Sequence, residues 1–260
     1  MIQEANIRPI LFSTPMVRAI LDGQKTQTRR VVKPQPSFIA GDGDPNDSGA
    51  WEDGTPMLLG EDLIAKPIRC PYGRPGDVLW VREKWAETVA ESGGCAVIAY
   101  AAGGSRCVLA SHDGEGDPIG TDGECANPWI PDDIRWKPSI HMPFWACRLF
   151  LRVKDVRVQR VQETSAKDII AEGAVLRSFH SDAFEMVGAN PQCPVSAFDG
   201  KVYPDLRSLW AMGWDSINAK RGFGWKANPL VWPVTFERIT KEEARRLAPS
   251  KFAKLLKGAA

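Results

Sequence analysis

Within eight residues, Gly23-Gln24-Lys25-Thr26-Gln27-Thr28-Arg29-Arg30 gathers an amine, two hydroxyls and two guanidinium groups. Gly23 can adopt positive φ and end a helix, so the segment reads as a turn from helix into strand. If the strand begins near Thr26, then Thr26, Thr28 and Arg30 share one face, because strand side chains alternate. Lys25 joins them only while it still lies in the turn. Arg29 points away from them and reads as surface. Two chemistries fit. One is a solvated basic strand start. The other is a cluster in which an amine activates a hydroxyl. A threonine hydroxyl is a weak nucleophile until a neighbour takes its proton, and a partly buried lysine with lowered proton affinity can be that neighbour. Arg30 and Thr26 are candidates for holding a substrate or steadying developing negative charge. Lys220-Arg221, before Gly222-Phe223-Gly224-Trp225, form a second basic element that either closes over a phosphate or flanks a turn.

The elements that must position these groups are legible as patterns. Pro9 to Phe12 reads as a first strand. Thr14 followed by Pro15 opens a helix whose apolar face is Met16, Val17, Ile20 and Leu21. Thr28 to Val32 is the next strand, and Val78 to Arg82 another, feeding Glu83, which either points toward the site or pairs with an arginine. Leu149 to Val161 alternates in two phases that change near Asp155, which predicts a bend. Ser165 caps a short helix, with Asp168 completing a box-like start and Gly173 ending it. Leu206, Leu209, Trp210, Trp214 and Ile217 mark an amphipathic helix. Leu230 to Ile239 is a closing strand, with Pro233 suggesting an edge or bend. Residues 241–260 read as a basic helical tail, broken at Pro249 and either solvated or in contact with nucleic acid.

Composition excludes several classes. The chain has 260 residues, 43% of them hydrophobic, the range of a folded domain with insertions. Net charge is +1, so any nucleic-acid contact must come from a local patch. No run reaches the length of a membrane span and the N-terminus carries no apolar signal region, so a cytoplasmic protein is expected; a monomer is the expected oligomeric state. The six cysteines form no C-x-x-C pair and read as free thiols. Cys95, Cys107, His112 and Cys125 share one Gly/Asp-rich stretch, but their spacing is irregular for zinc. No metal or cofactor is implied.

Gly23-x-Lys25-x-x-Thr28-x-Arg30 resembles the G-x-K-x-x-[ET]-x-R signature of ASCH domains, relatives of the PUA RNA-binding barrel. Arg8–Ser13, Pro75–Glu83, Pro138–Pro143 and Trp214–Asn218 resemble the larger ASCH-like proteins of phages and prophages. The resemblance covers most of Arg8 to Ile239. It implies an α+β fold, a PUA-like mixed β-barrel with flanking helices. The domain would span 1–240, with two large loop insertions at about 37–66 and 86–131. Some small ASCH proteins are amidohydrolases that remove acyl groups from N4-acylated cytidine, using a Lys and a Thr of the signature and a Glu on a later short helix. These correspond to Lys25, Thr28 and Glu172, the last by helix position. Arg30, Thr26, Glu83, Lys220 and Arg221 are the expected substrate-contacting residues. The expected function is hydrolysis of the C–N bond of a modified nucleoside. The alternative is an RNA-binding module without catalysis and, less favoured, a ribonuclease. A pocket carboxylate repels phosphate and so favours the hydrolase.

Overall fold

The computed structural model describes residues 4–35, 51–52, 55–59, 65–67, 69–90, 96–108, 128–131, 133–173, 195–196, 202–203 and 206–257. The chain divides into two compact units, Met1–Asp22 with Tyr72–Lys154 and Phe236–Ala260, and Gly23–Pro71 with Asp155–Thr235. The architecture is α+β with a mixed sheet. Among the described residues, no helix is long and apolar enough to cross a membrane.

In the first unit, strand Ile7–Leu11 runs parallel to Val78–Arg82, pairing Ile7 with Val78 and Leu11 with Arg82. Strand Phe150–Val156 begins here and pairs antiparallel to Val78–Arg82. Val78 through Val81 are all buried, which explains why that strand is apolar without alternation. The helix Thr14–Leu21 forms as read, except that Ser13, not Thr14, is its N-cap residue. The region 86–131, expected as a loop insertion, contributes strands instead. Trp85–Ala90, Ala96–Tyr100, Ser105–Val108 and Pro128–Trp129 make a four-stranded antiparallel sheet. Of the first expected insertion, three short antiparallel strands are described, Trp51–Glu52, Thr55–Leu59 and Ala65–Pro67; they belong to the second unit. Cys95, His112, Cys125 and the Cys107 side chain lie outside the described residues.

The C-terminal segment is not a solvated tail. It forms helices Lys241–Leu247 and Pro249–Lys257, which meet at the expected proline. Ala244, Ala248 and Phe252 are buried. The Phe144 ring meets Phe252, Trp80 and Phe150 edge-on, with centroids 4.9, 5.3 and 6.0 Å away, a favoured aromatic geometry. Arg245, Arg246, Lys254 and Lys257 stay exposed, so the segment is basic outside and apolar inside.

The second unit places strand Gln27–Val31 antiparallel to Leu230–Ile239, with Gln27 opposite Thr235 and Val31 opposite Val231. Gln159–Arg160 pairs with the same long strand. The break expected near Asp155 falls just after it, at Arg157 and Val158, between strand Phe150–Val156 and the two-residue strand Gln159–Arg160. Pro233 does not mark an edge. It sits inside the strand opposite Arg29, and its carbonyl accepts the Arg157 N–H at 3.3 Å. Helix Leu206–Asn218 packs Trp214 against Val161 and Val231, with Val31, Trp210 and Trp225 around them.

One buried carboxylate ties the first unit's chain together. Asp77 accepts the Asn6 backbone N–H at 2.8 Å and the Arg74 backbone N–H at 3.1 Å. Gly73 allows this. Its φ is +96°, and a Cβ there would lie 2.7 Å from Asp77 Oδ2. Asp77→Ala should destabilise the protein by about 1–2 kcal/mol, because the backbone N–H groups of Asn6 and Arg74 lose a buried acceptor. Urea unfolding measures this, and an unchanged midpoint would contradict it.

Candidate active site

A buried amine in a strand-leading turn needs acceptors, and the sequence supplies them from a distant helix. Gly23 ends the preceding helix at φ +74°. The chain then forms a single antiparallel bridge, Lys25 opposite Glu172, before the strand begins at Gln27. Thr26 N–H donates to Ala171 O at 2.8 Å beside that bridge. Glu172 is the C-cap of helix Ala166–Ala171. That helix starts on the capping box read from sequence. Ser165 Oγ accepts Asp168 N–H at 3.1 Å, and Asp168 Oδ2 accepts Ser165 N–H at 3.2 Å.

Lys25 is 2% exposed, and its ammonium donates to Glu172 Oε2 at 2.8 Å, Glu172 O at 2.9 Å and Gln27 O at 2.7 Å. These acceptors match the three hydrogens of an ammonium. Burial lowers its proton affinity, Glu172 opposes that, and the charges of Arg30 and Arg29 add to the lowering. The net direction is down.

Arg29, read as surface, is buried, and its side chain is fully enclosed. Its Nη1 donates to Gln27 Oε1 at 2.7 Å and to Glu172 Oε1 at 3.1 Å. Gln27 Nε2 donates in turn to Thr235 Oγ1 at 3.1 Å, which fixes the amide. Arg29 Nη2 lies 3.1 Å from Asp168 Oδ2 without aligning as a hydrogen bond, and Nε has no hydrogen-bond partner. The guanidinium faces the Trp210 ring at 6.0 Å. Arg157 Nη2 donates to the other oxygen of Asp168 at 2.8 Å. Alternation puts Arg29 with Gln27, on the face that meets the helix carboxylates, and charge alone suggested solvent.

The structure brings Lys25 and Glu172 together across 147 positions of sequence. Thr28 is buried, one position from Gln27 and Arg29 and hence on the opposite face. Its peptide nitrogen belongs to the carbonyl that Lys25 binds, so the ammonium rests against the Gln27–Thr28 peptide. Thr26 is exposed and Arg30 half-buried. Glu83 lies in the first unit, and of its two readings the structure shows the ion pair. Arg148 donates Nε to Oε1 and Nη2 to Oε2, both at 2.9 Å. Lys220 and Arg221 are exposed on a 3-10 turn that ends at Gly222. Beside that turn is an open cavity of about 450 Å³ lined by Asp215, Ala219, Gly222, Gly224, Lys226 and Ala227. Among the described residues, no group of three or more His, Cys, Asp or Glu side chains could hold a metal ion.

No protein-family model, no curated protein and no solved structure matches this chain.

Partial burial raises the Asp168 carboxyl, but Ser165, Arg29 and Arg157 outweigh it and bring it from 3.8 to about 2. Between these values the folded state binds fewer protons than the unfolded chain. The stability Asp168 contributes is therefore whole above pH 3.8 and is lost as pH falls through about 2. Asp168→Asn should be less stable than wild type at neutral pH, and the gap should close on acidification. Unfolding midpoints taken from pH 6 down to 2 test this; a pH-independent gap contradicts it.

Proposed function

We propose that this protein is an amidohydrolase of the ASCH type that removes the acyl group from an N4-acylated cytidine or a related modified base. The observation that carries the reading is the buried Lys25–Glu172 contact at 2.8 Å. A lysine of the signature and a carboxylate at the end of a later helix form one desolvated pair. The signature, the Ser165-capped helix and the mixed sheet with flanking helices support the same reading, including a PUA-like barrel as the parent fold.

The chemistry follows from the groups. Lys25, with its proton affinity lowered by burial, takes a proton from the attacking oxygen, either the Thr28 hydroxyl or a water. The C–N bond breaks, the acyl carbon takes the oxygen, and the proton returns to the leaving N4 amine; where Thr28 attacks, a water then cleaves the acyl–Thr28 ester, releasing the acid and returning a proton to the Thr28 hydroxyl. Glu172, hydrogen-bonded to Lys25, orients that amine and shuttles the proton. Arg30 steadies the charge developing on the acyl oxygen.

A binding module that grips RNA with the same cations is less favoured. Glu172 and Asp168 already neutralise Lys25 and Arg29, which leaves little charge at this site for a phosphate.

The test is a panel of N4-acylcytidines of graded acyl size, followed by chromatography of released cytidine. Wild type should hydrolyse at least one member. Lys25→Arg should lose about 100-fold or more, because a guanidinium keeps its proton and cannot act as base. Near-wild-type turnover in Lys25→Arg would reduce Lys25 to an electrostatic contact. A wild type inactive on the whole panel that nonetheless binds a short RNA would favour the binding module.

A further inference from the structure

Glu172 is shared. Its Oε2 meets Lys25 at 2.8 Å and its Oε1 meets Arg29 at 3.1 Å. All three side chains are enclosed, at 1%, 5% and 0% exposure for Lys25, Glu172 and Arg29. Lys25 and Arg29 share Glu172, while Asp168, the second carboxylate beside Arg29, is itself shared with Arg157, and of these cations only Lys25 can shed a proton, since arginine stays charged. We propose that Arg29, which is not one of the signature residues, is a positioning residue that divides Glu172 between two cations and thereby controls how readily Lys25 becomes a free amine. The inference deepens the hydrolase reading and rests on it for its functional meaning.

What remains when Lys25 loses its proton depends on Arg29. With Arg29 present, a neutral Lys25 leaves the Arg29–Glu172 pair, which is still compensated. Without Arg29, the same step strands a buried carboxylate that has lost its counter-charge, which is costly. A Lys25–Glu172 pair alone would therefore hold its proton firmly. The other charges facing Lys25 fit this account. Arg30 lies on the same strand and disfavours the ammonium, as Arg29 does. From the short helix Asp168 faces Arg29, and Arg157 occupies the second oxygen of Asp168. From helix Leu206–Asn218 the uncharged Trp210 ring covers the guanidinium, and from the long strand Thr235 fixes Gln27. The Gln27 carboxamide then gives Nη1 a second acceptor, which aims that nitrogen at Glu172.

The test measures Lys25 directly. In protein labelled with carbon-13 at the lysine ε position, the Lys25 resonance is assigned by its absence in Lys25→Met, and its shift is followed against pH. In Arg29→Gln the midpoint should rise by about one pH unit or more, the size expected for loss of a neighbouring partly buried charge. Arg29→Lys serves if Arg29→Gln does not fold. A lysine cannot engage Glu172, Gln27 and Asp168 together, so Glu172 turns more fully to Lys25 and the midpoint rises by less. A purely structural Arg29 would lower the melting temperature and leave the midpoint where it is. An unchanged or lowered midpoint in either folded variant overturns the proposal. The titration needs no substrate. If the midpoint rises but no acylcytidine is hydrolysed, the hydrolase reading fails and the coupling of Arg29 to Lys25 stands.

Discussion

An ammonium cannot remain in a protein interior without acceptors, and the second unit is built to supply them to Lys25. The main chain gives two, the carbonyls of Gln27 and Glu172, and the Glu172 side chain gives the third. The constraint reaches outward from there. Glu172 must sit at a helix end, where its own carbonyl is free to accept, and so the helix must stop there. Gly173 at φ +86° makes that stop. The strand must begin two residues after Lys25, so that the Gln27 carbonyl returns to the amine. Arg29 must then turn inward with Gln27. A catalytic reading and a structural one share this geometry.

The first unit solves a similar problem differently. Glu83 is 1% exposed, and burial raises its proton affinity while Arg148 opposes that. One carboxylate meets one guanidinium through two parallel hydrogen bonds, and the guanidinium lies 3.9 Å from the centre of the Tyr100 ring. No second cation shares that carboxylate in the contacts described, and the partner cannot lose a proton. The pair suits a structural tie, whereas sharing Glu172 with a lysine leaves a group that can titrate.

Much of this was readable in the sequence because it is local. The capping box at Ser165, the glycine stops at 23 and 173, the proline break at 249 and the amphipathic helix at 206–218 each follow from a few neighbouring residues. The contact between Lys25 and Glu172 spans 147 positions and came only through resemblance to a family signature. Arg29 was misplaced because a charge on a short strand, facing away from Thr28 and Arg30, was assigned to solvent. The signal that could have found it was its two-residue spacing from Gln27, read together with two carboxylates on one turn of a helix, Asp168 and Glu172. The C-terminal helices were misjudged for a related reason. Their cations are conspicuous, and the Ala244, Ala248, Phe252 stripe at four-residue spacing is quiet. The strands within 86–131 were hidden by the Gly/Asp-rich stretch that runs among them.

The central claim is that Lys25 and Glu172 depend on each other inside the folded protein. A double-mutant cycle with Lys25→Met and Glu172→Gln, read by urea unfolding, measures that dependence. Glu172→Gln should cost about 3–5 kcal/mol, because it leaves two buried cations without the carboxylate they share, and Lys25→Met should cost less, because Arg29 still compensates Glu172. The double variant should cost clearly less than the sum, with a coupling of about 2 kcal/mol or more. Strictly additive costs would mean that the two groups do not meet in solution and would contradict the account.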